Sequence, residues 1–167
     1  STVSCEAPLG YVENGDDCDD TQGSVNPDAP EICDSIDNNC NVLVDDADPL
    51  VDSSLGSTFY VDADQDGFGD SANSALFCSD PGFGYSYVGT DCDDSQSYTY
   101  PGAAYQESLD CLSDYDLDGY APIVQGGADC DDNNSALQPL NTDIVGDNVD
   151  QNCDGIDGTD MDGDGIA

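Results

Sequence analysis

Apolar residues in this chain stand singly or in short runs between aspartates, and nowhere keep helical spacing long enough for a packed helix. Two runs read as short strands: residues 55–61, Leu-Gly-Ser-Thr-Phe-Tyr-Val, and residues 84–89, both rich in aromatic or β-branched side chains. Residues 30–36 are predicted as one or two helical turns, with Asp28 able to cap the start and Pro30 suited to a first turn. Residues 95–98 and 134–137 are predicted as single turns beginning at a capping aspartate. Everything else reads as loop. The fold class expected is mostly irregular with small β elements: tandem loop repeats with short strands and one-to-two-turn helices, elongated and stapled.

Charge changes the picture most. The 167 residues include 38 acidic side chains and no lysine, arginine or histidine. Two carboxylates ~4 Å apart repel by ~4 kcal/mol at an effective dielectric near 20, and no internal salt bridge can offset that. A folded state that gathers several of them needs an external cation. Nothing here neutralises phosphates, so nucleic acid and unassisted binding to an anionic membrane are excluded as partners. No apolar run approaches the ~20 residues of a membrane span. Without histidine, lysine or arginine, most general bases, Schiff-base chemistry and phosphate clamps are missing, and an enzyme is not expected.

Nine cysteines outside any Cys-x-x-Cys pattern read as disulfides and hence an oxidising, extracellular compartment, secreted or cell-surface. Single cysteines among carboxylates, with no histidine, do not make a structural zinc site. The chain opens on no basic, apolar signal peptide, so an exported protein would have lost its signal or be an internal piece of a longer chain.

Self-similarity organises the rest. Asp-Cys-Asp-Asp occurs three times, at 17–20, 91–94 and 129–132. Residues 5–20 and 78–94 share nearly one phrase, C-x-x-P…G-Y…G-x-D-C-D-D, and each tetrad is followed by a short polar stretch and a proline. From the first tetrad aspartate to the next Asp-x-Asn-Cys loop the separation is 20 residues in one copy (Asp17 to Asp37) and 21 in another (Asp129 to Asp150). Three metal-binding repeats are expected, at 1–54, 55–113 and 114–167. The last residues form an Asp-rich loop and the first a strand-like lead-in, and joining them recreates the arrangement at 62–78. A tandem array or head-to-tail self-association is therefore expected.

The loops name the cation. In the calcium-loop pattern, side chains at positions 1, 3 and 5 face inward, glycine at 6 allows a sharp turn and the carbonyl of 7 joins them. Asp62, Asp64, Asp66 and the carbonyl of Phe68 fit, with Asp70 at position 9. So do Asp114, Asp116, Asp118 and Tyr120; Asp150, Asn152, Asp154 and Ile156; and Asp160, Asp162, Asp164 and Ile166. Asp37, Asn39, Asn41 and Leu43 form a weaker version, with Val42 in place of the glycine. Position 12 of an EF-hand carries a glutamate; here stand Asn73, Gln125 and Met161, so these are not EF-hands. The missing carboxylates are expected from the tetrads: Asp17, Asp19 and Asp20; Asp91, Asp93 and Asp94; Asp129, Asp131 and Asp132. The first and third residues of each are expected to share a face. Several calcium ions are the cofactor expected.

The repeat suggests disulfides from tetrad to loop, Cys18–Cys40, Cys92–Cys111 and Cys130–Cys153, with Cys5–Cys33 in the first copy and Cys78 left odd. The phrase G-Y-V…D-C-D-D…P-x-A-P-E-I-C-D-x-I-D-N-N-C at 10–40 resembles the MopE-type metal-binding repeat of secreted and cell-surface bacterial proteins. The loops at 62–70 and 160–165 resemble the calcium loops of thrombospondin type 3 repeats. The first resemblance implies export, repeated architecture and metal binding. Its namesake's copper is bound through histidine and a modified tryptophan, which this chain lacks, so copper does not carry over.

The function expected is a calcium-stabilised extracellular structural repeat: a surface fibre, stalk or filament subunit. The alternative is a calcium-dependent adhesion module in which Tyr85, Tyr87, Tyr98, Tyr100 and Tyr105 stack on glycans; a small core covering the loops explains those rings more simply. Mineral nucleation is a further, less specific reading. Asn133-Asn134-Ser135 is a weak N-glycosylation triplet.

Overall fold

The computed structural model describes residues 14–158. They divide between two compact units: Ser1–Thr58 with Leu76–Pro81, and Phe59–Ala75 with Gly82–Ala167, counting only the described part of each. Among the described residues the apolar side chains that are fully buried are Val25, Phe59, Ala103, Ala104 and Ala121. Against these five stand seven buried carboxylates: Glu31, Asp48, Asp62, Asp114, Asp118, Asp129 and Asp143. Among the described residues fully buried carboxylates outnumber fully buried apolar side chains, so apolar burial alone is a weak source of specificity for this fold.

The first unit is built by carboxylates that accept backbone N–H groups. Glu31, 1 % exposed, takes the amides of Asn38 and Asn39 on one oxygen and Asp45 on the other. Asp46 takes the N–H groups of Cys78 and Ser79, at 2.8 and 2.9 Å, and the Ser79 hydroxyl. Two 3-10 turns lie here, Asp45–Ala47 and Ser53–Leu55, the second capped by the Asp52 side chain. Disulfides Cys18–Cys40 and Cys33–Cys78 close the unit.

The second unit carries most of the strand structure. Strands β1 (Ser57–Val61), β2 (Ser74–Phe77) and β3 (Tyr85–Ser86) form a sheet in the order β2-β1-β3, with Tyr60 opposite Ser86 and Val61 opposite Tyr85. The outer ends of β1 and β2 are counted with the first unit. A separate antiparallel pair, β4 (Thr99–Pro101) and β5 (Cys111–Ser113), is pinned by the Thr99 and Ser113 hydroxyls at 2.8 Å. A third 3-10 turn spans Ile123–Gln125, and Cys92–Cys111 and Cys130–Cys153 complete the disulfides among the described residues.

Three expectations are corrected. Residues 30–36 are not helical: Glu31 turns inward to the loop backbone, Ile32 bridges to Asp52, and Ser35 has φ 66°, which ends any right-handed helix. The helical elements among the described residues are the three 3-10 turns, and Leu55 ends one of them instead of starting β1. Cys33 bonds Cys78 instead of Cys5, because the Asp46 carboxylate clamps the chain just after β2 against the first unit. Cys5 lies outside the described residues. The mostly irregular fold and the three tetrad-to-loop disulfides stand as read from the sequence.

Candidate metal centre

Four loops share one hydrogen-bond scaffold. The position 1 carboxylate accepts on one oxygen the N–H of position 4 or 5, and on the other that of position 6. The donors to Asp37 are Asn41 and Val42; to Asp62, Gln65 and Gly67; to Asp114, Asp118 and Gly119; to Asp150, Asp154 and Gly155. Side chains at positions 3 and 5 each take the N–H two residues on, as Asp116 does from Asp118 and Asp118 from Tyr120. The amides of Leu43, Phe68 and Ile156 are tied in the same way to Asn41, Asp66 and Asp154.

The scaffold demands left-handed backbone at two positions. Position 4 has φ between 60° and 69° at Cys40, Gln65, Leu117 and Cys153; position 6 has 76° at Val42 and 91° to 96° at Gly67, Gly119 and Gly155. Glycine at 6 is therefore conformational. At Gly119 it is also steric, since a Cβ would meet the Tyr105 ring at 2.7 Å.

Two of the loops meet the carboxylates of a tetrad. Asp94 accepts the N–H of Ala63 and Asp132 that of Tyr115, at 2.7 and 2.9 Å, so the fourth tetrad residue latches onto position 2 of the loop. Ligand oxygens of Asp62, Asp64 and Asp66 lie within 4.8 Å of one another, as do those of Asp64, Asp91 and Asp94. The second cluster repeats this with Asp114, Asp116 and Asp132, and with Asp116, Asp118 and Asp129. In these two tetrads it is the first and fourth residues that reach the loop, where the first and third are expected to share a face. Asp93 instead takes the Ser95 hydroxyl and the Gln96 amide, holding its own turn. Asp131 occupies the corresponding place, its carbonyl accepting from Asn133 and Asn134.

Six buried carboxylate oxygens in these clusters have no hydrogen-bond partner, one each on Asp64, Asp66, Asp91, Asp116, Asp118 and Asp129. They occupy equivalent places: positions 3 and 5 of the loop and the first tetrad aspartate, in both clusters. Asp129 is 1 % exposed and Asp118 9 %. Buried polar atoms are ordinarily paired, so a matched set of six calls for a ligand. Burial, followed by the charges of Asp64, Asp91 and Asp62, pushes Asp66 up to about 6; burial and then Asp118, Asp116 and Asp132 push Asp129 to about 6. Asp64, Asp116, Asp118 and Asp132 are raised too, by burial first in each case. A cation between these oxygens would relieve both causes.

The remaining expected ligands are placed differently. Asp19 takes the amide and hydroxyl of Thr21 and the Gln22 side chain, Asp17 takes the N–H of Asp19, and Asp20 is exposed. Asp70 takes the N–H of Ala72 and the Asn73 amide. The loop at 37–43 is joined to its tetrad by the Cys18–Cys40 disulfide, and its Asn39 and Asn41 amides both donate to one oxygen of Asp48 at 2.7 Å. At 150–156 the Asn152 amide donates to Asp154. Asp160, Asp162, Asp164 and Ile166 lie outside the described residues.

Three acidic residues were missed. Glu31 and Asp143 do the same work in two places: Asp143 accepts from Gln151, Asn152 and Gly158, as Glu31 does from the equivalent Asn38, Asn39 and Asp45. Ile32 and Ile144, one residue on, likewise donate to the side chains of Asn38 and Gln151. A spacing comparison extended back from the Asp-x-Asn-Cys loops would have paired them. Asp48 stands twelfth counting from Asp37, and that spacing is the signal in the sequence that points to it.

The donor set is all oxygen. The cysteines beside Asp129, Cys130 and Cys153, are bonded to each other and offer no thiolate. Such a set fits a hard divalent ion and does not fit copper, which takes imidazole or sulfur. Three of the five candidate sugar-stacking rings have aromatic neighbours within the protein: Tyr87 on Phe59, Tyr100 stacked on Phe68 and Tyr98 edge-on to Tyr115; Tyr105 is 58 % exposed.

No curated protein and no solved structure matches the chain. The family model Cu-binding_MopE, described as "Putative metal-binding motif", matches at three places, each beginning at the first aspartate of a tetrad. The protein thus carries this metal-binding motif at residues 17–46, 91–104 and 129–159.

Proposed function

We propose that this chain is a calcium-stabilised extracellular structural repeat, a subunit or segment of a surface fibre, stalk or filament, with calcium held at 62–94 and 114–132. The observation that carries the reading is the matched set of six unpartnered buried oxygens. Calcium accepts six to eight oxygens in flexible geometry, whereas magnesium demands a strict octahedron and retains its waters. Four disulfides and the metal-binding motif are consistent with a metal-binding extracellular protein, and among the described residues no helix is long and apolar enough to cross a membrane.

The role is structural, with three repeats arranged in tandem or head to tail and no catalysis. Its support is that no cationic side chain exists to activate a nucleophile and that the carboxylates are committed to scaffold or cation. At ~10–100-fold saturation each ion adds about 1.4–2.7 kcal/mol, a large share of a small unit's stability. Metal analysis of protein purified without chelator, followed by EDTA and far-UV circular dichroism, tests it. Bound calcium and a spectrum that changes on chelation are expected. Absence of calcium, or an unchanged spectrum, sinks the reading.

A further inference from the structure

We propose that the cluster at 114–132 is built for a pair of calcium ions bridged by Asp116. The inference rests on the calcium reading above and deepens it. Oxygens bound to one calcium at ~2.4 Å lie no more than ~4.8 Å apart. Within that limit the second cluster contains two triads, Asp114 with Asp116 and Asp132, and Asp116 with Asp118 and Asp129. Asp116 belongs to both. In the first cluster Asp62, Asp64 and Asp66 form one triad and Asp64, Asp91 and Asp94 another: the position 3 aspartate is shared there too, but the other four carboxylates are grouped differently.

Charge points the same way. A single divalent ion among five carboxylates leaves three negative charges uncompensated in a partly buried site; a pair leaves one. Removing two charges from that excess weighs more than the repulsion between cations when one carboxylate bridges them. The unpartnered oxygens of Asp116, Asp118 and Asp129 define one position, and the latter two side chains are at least nine-tenths buried. Asp132, with one oxygen on the Tyr115 amide, turns toward Asp114 and Asp116 at the other.

Counting ions by native mass spectrometry in saturating calcium tests this on the full, disulfide-intact chain. Asp118→Ala and Asp132→Ala touch different triads, so each is expected to lower the wild-type count by one and the double variant by two. Asp116→Ala alone is expected to remove both ions. A double variant that loses one ion overturns the pair while leaving the calcium reading in place. A wild-type chain that takes up no calcium overturns both. Circular dichroism in calcium identifies a variant that fails to fold. The two single variants, each retaining one ion in the cluster, then decide between one ion and two without Asp116→Ala.

Discussion

The loop at 37–43 and the loop at 114–120 have the same backbone and opposite interiors. Both hang on a position 1 aspartate and both use left-handed residues at positions 4 and 6, but the first is joined to a tetrad by the Cys18–Cys40 disulfide and the second by the Asp132 carboxylate on the Tyr115 amide. In the first unit the side chains at 3 and 5 are amides, and their nitrogens converge on Asp48. In the second they are carboxylates, with a tetrad's carboxylates added and three oxygens unpartnered. Amide N–H groups face the carboxylate in one loop, and unpartnered carboxylate oxygens face one another in the other. The scaffold is the same in both, and the side chains at positions 3 and 5 set how much negative charge each loop gathers.

That contrast is broken or sharpened most strongly by removing calcium. Chelation is expected to open the second unit and spare the first. Proteolytic cleavage within 62–132 should accelerate at least about tenfold, the equivalent of ~1.4 kcal/mol of lost protection, while cleavage within 17–56 stays unchanged. Peptide mapping by mass spectrometry reads both regions in one digestion, and equal acceleration in the two would remove the distinction.

Asp48→Ala reverses the experiment. Backbone N–H of Leu50, then the Asn39 and Asn41 amides, hold Asp48 below the usual carboxylate range, and all three donors would lose their acceptor. A fall of about 5 °C in the melting temperature of the first unit is expected, with no change in the number of bound ions. Calorimetry with a parallel ion count checks it; a lost ion would mean that this loop is a metal site after all.

pH separates the metal-free from the loaded protein. Asp66 and Asp129 are raised to about 6 in the folded chain against ~3.9 unfolded, so between those values the metal-free folded state binds more protons. Its stability should fall as pH rises from about 4 to 6 and stay low above. With saturating calcium the sign reverses, because protons compete for the same oxygens and stability drops as pH falls below about 6. Melting temperatures against pH, with EDTA and with calcium, should therefore run in opposite directions.

The smallest effect concerns Val42, a β-branched residue at φ 76° and 88 % exposed. Val42→Gly relieves a left-handed strain of ~1–2 kcal/mol at the cost of ~0.4–1 kcal/mol of added unfolded-chain entropy. A net gain of about 0.5–1 kcal/mol in urea denaturation of the first unit is expected. The same change brings its loop to the glycine used at Gly67, Gly119 and Gly155.

Local chemistry was legible in the residues themselves. Asp-x-Asp-x-Asp-Gly spacing dictates which side chains turn inward, because those hydrogen bonds span only two to five residues, and the repeated tetrads announced three disulfides. What only the tertiary structure decided were the non-local choices. Which tetrad carboxylates reach a loop depends on a latch such as Asp132 to the Tyr115 amide, seventeen residues apart in sequence. Cys33 found Cys78 through the Asp46 clamp, and Glu31 and Asp143 went inward where composition would place them in solvent. A carboxylate's worth is set by the N–H groups or cation that face it, and those partners lie elsewhere in the chain.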